Sequence, residues 1–256
     1  MSDADPSAGR FARRLLESPI GRSFLGICRD EGSQDRTPTE RQVDTWAVEA
    51  CADASPHQPG YATDSDTDLI SARPPPWLDD PRWTAGLDRD RQTWVTRSER
   101  PPAESAFDFD GRPFGDMAVK PRRALWTSTR TGALPWGWLT YLRSGADPLP
   151  PPWHVWWLDV APDARVYEID SPAAWALLCG RYPAEFEADS VQPDWTAVSV
   201  DWDAVHLPVG GLLTTQQVPV TTQSGRRCEL RGWDAESTVW LRWCFTEVTW
   251  LADVNG

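Results

Sequence analysis

The sequence predicts an α+β fold: a split, mostly antiparallel β-sheet domain with an N-terminal helical appendage. Helix-period apolar spacing dominates the first 53 residues, and from Leu69 onward short β-like runs alternate with Pro- and Gly-bounded turns. The chain also carries 17 Trp, 13 of them between Trp126 and Trp250, against only 7 Phe and 2 Met. Tryptophan of this abundance fills a core that is short of other large side chains, and a few copies remain to line a ligand pocket.

The elements follow in order. Phe11, Leu15, Leu16, Ile20, Phe24, Leu25 and Ile27 recur at roughly helical spacing over residues 9–29. Ser18-Pro19 interrupts them as an N-cap followed by a first-turn proline, so a second helix starts there. Thr37-Pro38-Thr39-Glu40 matches a capping box, and the helix it opens is expected to reach Ala52 with Val43, Trp46, Ala47 and Ala50 inward. Residues 54–68, rich in Ser, Pro, Gly and Asp, read as a linker. The expected organisation is a helical element over 1–53, the linker, and an α+β domain over 69–256. Strands are expected at Thr93–Arg97, Ala124–Ser128, Trp153–Val160, Arg165–Ile169, Ala204–Leu207 and Thr238–Phe245, each rich in Trp, Val, Thr or Tyr. Ser171-Pro172 opens a helix to Arg181, and Asp194 caps a short one through Ser199.

Composition narrows the function. With 25 Lys+Arg against 38 Asp+Glu the net charge is −13, which disfavours general nucleic-acid binding and docking on anionic lipid. Five Cys without a CxxC spacing and three His make a zinc site improbable, so no metal is expected. No apolar stretch is long enough to span a membrane and no secretory signal is visible, so a cytoplasmic protein with reduced thiols is expected. The dinucleotide, P-loop, hydrolase-elbow and HExxH templates are all missing. His154 and His206 lie in Trp-rich and apolar strands, where a packed histidine is the ordinary reading, and His57 lies in the linker.

Two segments carry candidate chemistry. In Lys120-Pro121-Arg122-Arg123-Ala124-Leu125-Trp126-Thr127-Ser128-Thr129 a basic cluster precedes a strand that ends in three hydroxyls. Hydroxyls at a strand end can bond a ribose or an amide, and nearby Arg or Lys can meet phosphate; the plain alternative is an ordinary Thr-rich strand with an exposed basic turn. In Gly232-Trp233-Asp234-Ala235-Glu236-Ser237-Thr238-Val239-Trp240 a turn delivers Glu236 to the mouth of a strong strand, a rigid mount for one carboxylate. The plain alternative there is an Asx-turn followed by a solvated charge.

Together these segments resemble the ADP-ribosyltransferase superfamily, in the diphtheria-toxin and poly(ADP-ribose) polymerase branch. In that superfamily a split sheet binds NAD in a cleft. One strand ends in a Ser-Thr-Ser or glycine–aromatic–aromatic run, and a glutamate stands at the start of a late strand. The matching residues are Leu125-Trp126-Thr127-Ser128-Thr129, then Trp138 and Tyr141, then Glu236 before Ser237-Thr238-Val239. The C-terminal half also looks like uncharacterised proteins of actinobacteria and their phages. The resemblance implies NAD as substrate and Glu236 as the carboxylate that bonds the ribose 2′-hydroxyl and offsets an oxocarbenium-like charge. Ser128 and Thr129, with Thr127 beside them, would hold the nicotinamide ribose and amide, and Trp126 or Tyr141 would stack on the ring. Arg97, with Arg73 as runner-up, would supply the early-strand arginine of the family, and Arg97, Arg122 or Arg123 would take the pyrophosphate. The resemblance leaves the acceptor open among protein, nucleic acid, small molecule and water. Two departures stand out: the chain has no His-Gly pair, and Asp234 occupies the first position of the family's Glu-x-Glu. The competing expectation is a non-enzymatic interaction module, a phage-defence or immunity-type partner presenting a Trp-rich face. A carbohydrate-binding module is a third.

Overall fold

The computed structural model describes residues 8–32, 36–54, 76–113, 120–145, 149–186 and 189–255. Almost all of the expected linker, with His57 and Arg73, falls outside these residues.

Three helices open the chain: α1 (Ala8–Glu17), α2 (Pro19–Asp30) and α3 (Glu40–Asp53). Ser18 caps α2 by accepting from the Gly21 amide, with Pro19 in the first turn. The capping box of α3 sits two residues later than the sequence reading. Thr39 and Gln42 exchange the two bonds, because Gln42 rather than Glu40 occupies the third helical position.

Seven strands form the main sheet: β1 (Gln92–Thr96), β2 (Leu125–Thr129), β3 (Trp153–Val160), β4 (Val166–Glu168), β5 (Ala204–Leu207), β6 (Ser237–Trp240) and β7 (Phe245–Val254). Their order is β7-β3-β1-β2-β6-β5-β4, antiparallel throughout except for the parallel pair β4–β5. The expected strand Thr238–Phe245 is instead two strands. The chain turns at Leu241 and Arg242, whose amides both bond the Asp203 carbonyl, and β7 then runs back to the opposite edge of the sheet.

The sheet is divided at β2. Its last two residues, Ser128 and Thr129, pair with Thr93 and Gln92 of β1, while Leu125, Trp126 and Thr127 pair with β6. Strand β2 therefore belongs to one half of the sheet at each end, and its C-terminal hydroxyls emerge at the seam.

Four more helices cover the sheet: α4 (Trp136–Arg143), α5 (Pro172–Arg181), α6 (Trp195–Asp201) and α7 (Val209–Thr215). Helices α5 and α6 agree with the sequence reading. Helix α7, with sequence VGGLLTT, has neither good propensity nor a side-chain cap, and its residues from Gly210 to Thr215 are all buried, so packing decides its conformation.

The N-terminal helices are not an appendage in the packing sense. Leu15, Ile20, Phe24, Val43, Trp46 and Ala50 share one continuous hydrophobic cluster with Trp175, Trp195, Leu207, Trp233 and Val239. Tryptophan fills that core as composition implied: Trp153, Trp175, Trp195, Trp233 and Trp240 are fully buried. Trp250 is the one tryptophan among the exposed large hydrophobic side chains of the described residues.

Candidate functional site

Glu236 is the last residue before β6, where the preceding turn is fixed by the Trp233 amide donating to Gln216 Oε1 (2.7 Å). Its carboxylate lands at the seam and collects four donors. Ser128 Oγ (2.7 Å) and the Thr129 amide (2.9 Å) donate to Oε2, and Thr129 Oγ1 (2.8 Å) and His206 Nε2 (3.1 Å) bond Oε1. Two carboxylate oxygens offer about four lone-pair sites, so this set fills them. The order Ser128-Thr129 at the end of one strand and Glu236 at the start of its neighbour thus builds one constellation across β2 and β6.

A second polar layer holds the first. Gln92 Nε2 donates to Thr129 Oγ1 (3.0 Å), Thr127 Oγ1 donates to Gln92 Oε1 (2.6 Å), and Trp240 Nε1 donates to Thr127 Oγ1 (2.8 Å). Thr127 therefore props the strand end from within the sheet.

His206 links Glu236 to a second acid, Glu168. Its Nδ1 lies 2.5 Å from Glu168 Oε2, and the Leu87 amide donates to the other Glu168 oxygen at 2.8 Å. The parallel register of β4 and β5 creates this contact, since Glu168 and His206 are direct cross-strand partners. Burial alone would depress the imidazole pKa, but the bonds to Glu168 and Glu236 outweigh it and push the value up to about 9. Burial works in the opposite sense on Glu236, and the His206 bond and charge with the Ser128 and Thr129 donors reverse it, holding the carboxyl below its ordinary range. At neutral pH His206 is therefore an imidazolium and Glu236 a carboxylate.

Glu236, His206 and Thr129 line a cavity of about 280 Å³ together with Thr131, Asp44, Trp83, Arg82 and Arg91. Trp83 gives it an aromatic wall, fixed by Trp83 Nε1 donating to the Trp77 carbonyl (2.9 Å) and by an edge contact with Trp77. The two arginines are held by acids: Arg91 by Asp88 (2.6 Å) and Glu40 (3.2 Å), Arg82 by Asp80 (2.7 Å). Asp44, on α3, is buried at 7 % exposure, and its Oδ2 accepts from Thr131 Oγ1 at 2.8 Å. Burial pushes its pKa up to about 8, reinforced by the charge of Glu236 and opposed by the Thr131 hydrogen bond.

Of the residues singled out from the sequence, the structure brings Glu236, Ser128 and Thr129 together and leaves the rest elsewhere. Trp126 packs edge-on against buried Trp233 (5.0 Å between ring centroids), so neither ring lines the cavity. Tyr141 and Trp138 contact each other on α4, in the cluster with Trp153 and Val155. Arg97 follows the far end of β1. Five residue steps of about 3.3 Å place it about 16 Å along the chain from Gln92, which pairs with Thr129 at the seam. Arg123 pairs with Asp108 at 2.6 Å and precedes Leu125 at the opposite end of β2 from the hydroxyls, with Arg122 next to it. His206, Asp44, Trp83, Arg82 and Arg91 were not anticipated as site residues. Among the described residues no group of three or more His, Cys, Asp or Glu side chains is arranged to hold a metal ion, and no helix is long and apolar enough to cross a membrane.

No protein-family model, curated protein or solved structure matches the chain.

Proposed function

We propose that the protein cleaves the N-glycosidic bond of NAD, passing ADP-ribose to an acceptor or to water, with Glu236 stabilising the ribosyl cation. The observation that carries this reading is the clasp of Ser128 and Thr129 on Glu236 at the floor of a cavity. Loss of nicotinamide leaves positive charge on the ribose ring. A carboxylate already ionised and fixed by donors meets that charge without reorganising. The ribose 2′-hydroxyl would take one site on Oε1, the oxygen whose partners Thr129 and His206 both line the cavity. The longer of those two bonds, from His206, is the one to yield.

The rest of the lining suits the ligand's chemistry. Trp83 already carries the Arg82 guanidinium over its ring, 4.8 Å from the centroid, so a cationic pyridinium stacking there would take that cation's place, an interaction worth about 0.5–2 kcal/mol. Arg82 and Arg91 can exchange their carboxylate partners for a diphosphate. The volume of about 280 Å³ is near the lower end of ligand pockets and fits the nicotinamide-ribose half of NAD.

Incubation with NAD labelled in the nicotinamide ring tests this reading. Wild-type protein should release nicotinamide, and Glu236→Gln should lower turnover by about 10²–10³-fold while NAD affinity changes little. Equal release by the two proteins, or none by wild type, rejects it.

A further inference from the structure

The cavity holds a second buried carboxyl, supplied by the N-terminal helices. Glu236 has no lone pair left over, and Glu40 and Asp88 are occupied by Arg91. Asp44 differs from all three. Only Oδ2 is bonded, by Thr131, and among the described residues Oδ1 has no hydrogen-bond partner although the residue is 93 % buried and lines the cavity. Its position is set from two sides. Thr131 reaches it from the loop after β2, whose Arg130 amide is tied to the Arg91 carbonyl (2.8 Å). Helix α4 closes on it through Gly137, where a Cβ would stand 3.4 Å from Asp44 Cβ.

On the reading of the site as one that cleaves NAD, an acid with a free oxygen has a definite use. The bond between C1′ and the pyridinium nitrogen breaks with its electron pair going to nitrogen, so nicotinamide departs neutral and needs no proton. The attacking O–H, from water or an acceptor hydroxyl, forms the new bond to C1′ and must lose its proton. We propose that Asp44 accepts that proton and returns it to solvent, which makes α3 a part of the catalytic site. Glu236 keeps the electrostatic role alone. A base of this kind works best with a pKa near the operating pH, and burial places Asp44 there. A cationic pyridinium beside it favours its ionised form. The charged groups around it are Glu236, Glu40 and Arg91, while α7, which also packs on α3, carries no titratable side chain.

The test is nicotinamide release from NAD in water by wild type, Asp44→Asn and Thr131→Val, each measured as kcat and KM across pH 5–10. Wild-type kcat should rise with pH through about 8, below the range near 9 in which His206 loses its proton. Asp44→Asn should lose about 10²-fold or more in kcat and lose the rising limb, with KM within about twofold. Thr131→Val keeps the acid but removes the bond that favours its ionised form, so its limb should move to higher pH. A thermal melt confirms that both variants are folded. If wild type is active and Asp44→Asn retains kcat and the limb, Asp44 is not the base and the NAD reading stands. If wild type releases no nicotinamide, the NAD reading fails and takes this role with it.

Discussion

Replacing Asp44 by Asn should make the protein more stable, and by an amount that depends on pH. The carboxyl has its ordinary value of 3.8 in the unfolded chain and about 8 in the fold. The folded-state pKa is raised, so folding favours the protonated form. The relative stability this gives is complete below pH 3.8 and is lost progressively as pH rises through 8. At 1.36 kcal/mol per pKa unit, the folded protein at pH 7 carries a cost of about 4 kcal/mol for keeping this acid buried, rising to about 6 above pH 8. Asparagine has nearly the same shape, can still accept from Thr131, and does not titrate. Urea unfolding of wild type and Asp44→Asn at pH 4, 6, 7 and 9 gives the difference directly. It should be near zero at pH 4, grow to pH 8 and then level off. A difference that is constant with pH, or an Asn variant that is the less stable at pH 8, would refute the placement of Asp44 as a buried, largely neutral acid.

His206 gives the complementary profile. Its folded-state pKa of about 9 lies above the ordinary 6.5, so its contribution, about 3 kcal/mol, is present below pH 6.5 and lost as pH rises through 9. The stability cost of His206→Gln, by urea unfolding, should be large at pH 6 and small at pH 10. Thr127→Val strands Gln92 Oε1 and Trp240 Nε1 in the sheet, which should cost about 1–3 kcal/mol by the same assay. Arg91→Ala should raise KM for NAD, whereas Arg97→Ala, at the far end of β1, should leave it unchanged, as steady-state nicotinamide release would report.

What the sequence reveals depends on whether a signal is local. The strands Trp153–Val160 and Ala204–Leu207 and the helix from Pro172 to Arg181 carry their own pattern and caps, and the structure keeps those bounds. Helix α7 and strand β7 do not: one is a Gly-rich run made helical by burial, and the other is an edge strand that buries only its two end residues and lacks strict alternation. The site divides in the same way. Ser128, Thr129 and Glu236 stand out because each sits at a strand end, where a side chain is fixed yet reachable. His206 has no such mark, and its importance comes from Glu168, its partner in a parallel register that no sequence pattern specifies. Asp44 reads as one more charge on α3. The hint is positional: Ala47, Val48 and Cys51, three, four and seven residues on, are buried, so Asp44 belongs to the inward stripe and not to the solvated one.

The contrast between Asp44 and Glu236 is the strongest physical ground for reading chemistry here. Both are buried carboxyls in one cavity, and burial alone would push both upward. Glu236 is given four donors and stays ionised, while Asp44 is given one donor and the repulsion of Glu236, and stays largely protonated. Two acids whose surroundings drive their pKa values apart are the usual sign of separate roles, one electrostatic and one in proton transfer. A purely structural role would be met at position 44 by asparagine, with the same hydrogen bond from Thr131 and without the cost of an acid. Asp44 also ties α3 to the loop after β2 through Thr131 and lies against Gly137 of α4. Helix α3, part of the segment that looked like an appendage, lines the cavity that holds the carboxylate mounted by β2 and β6, and supplies its second buried acid.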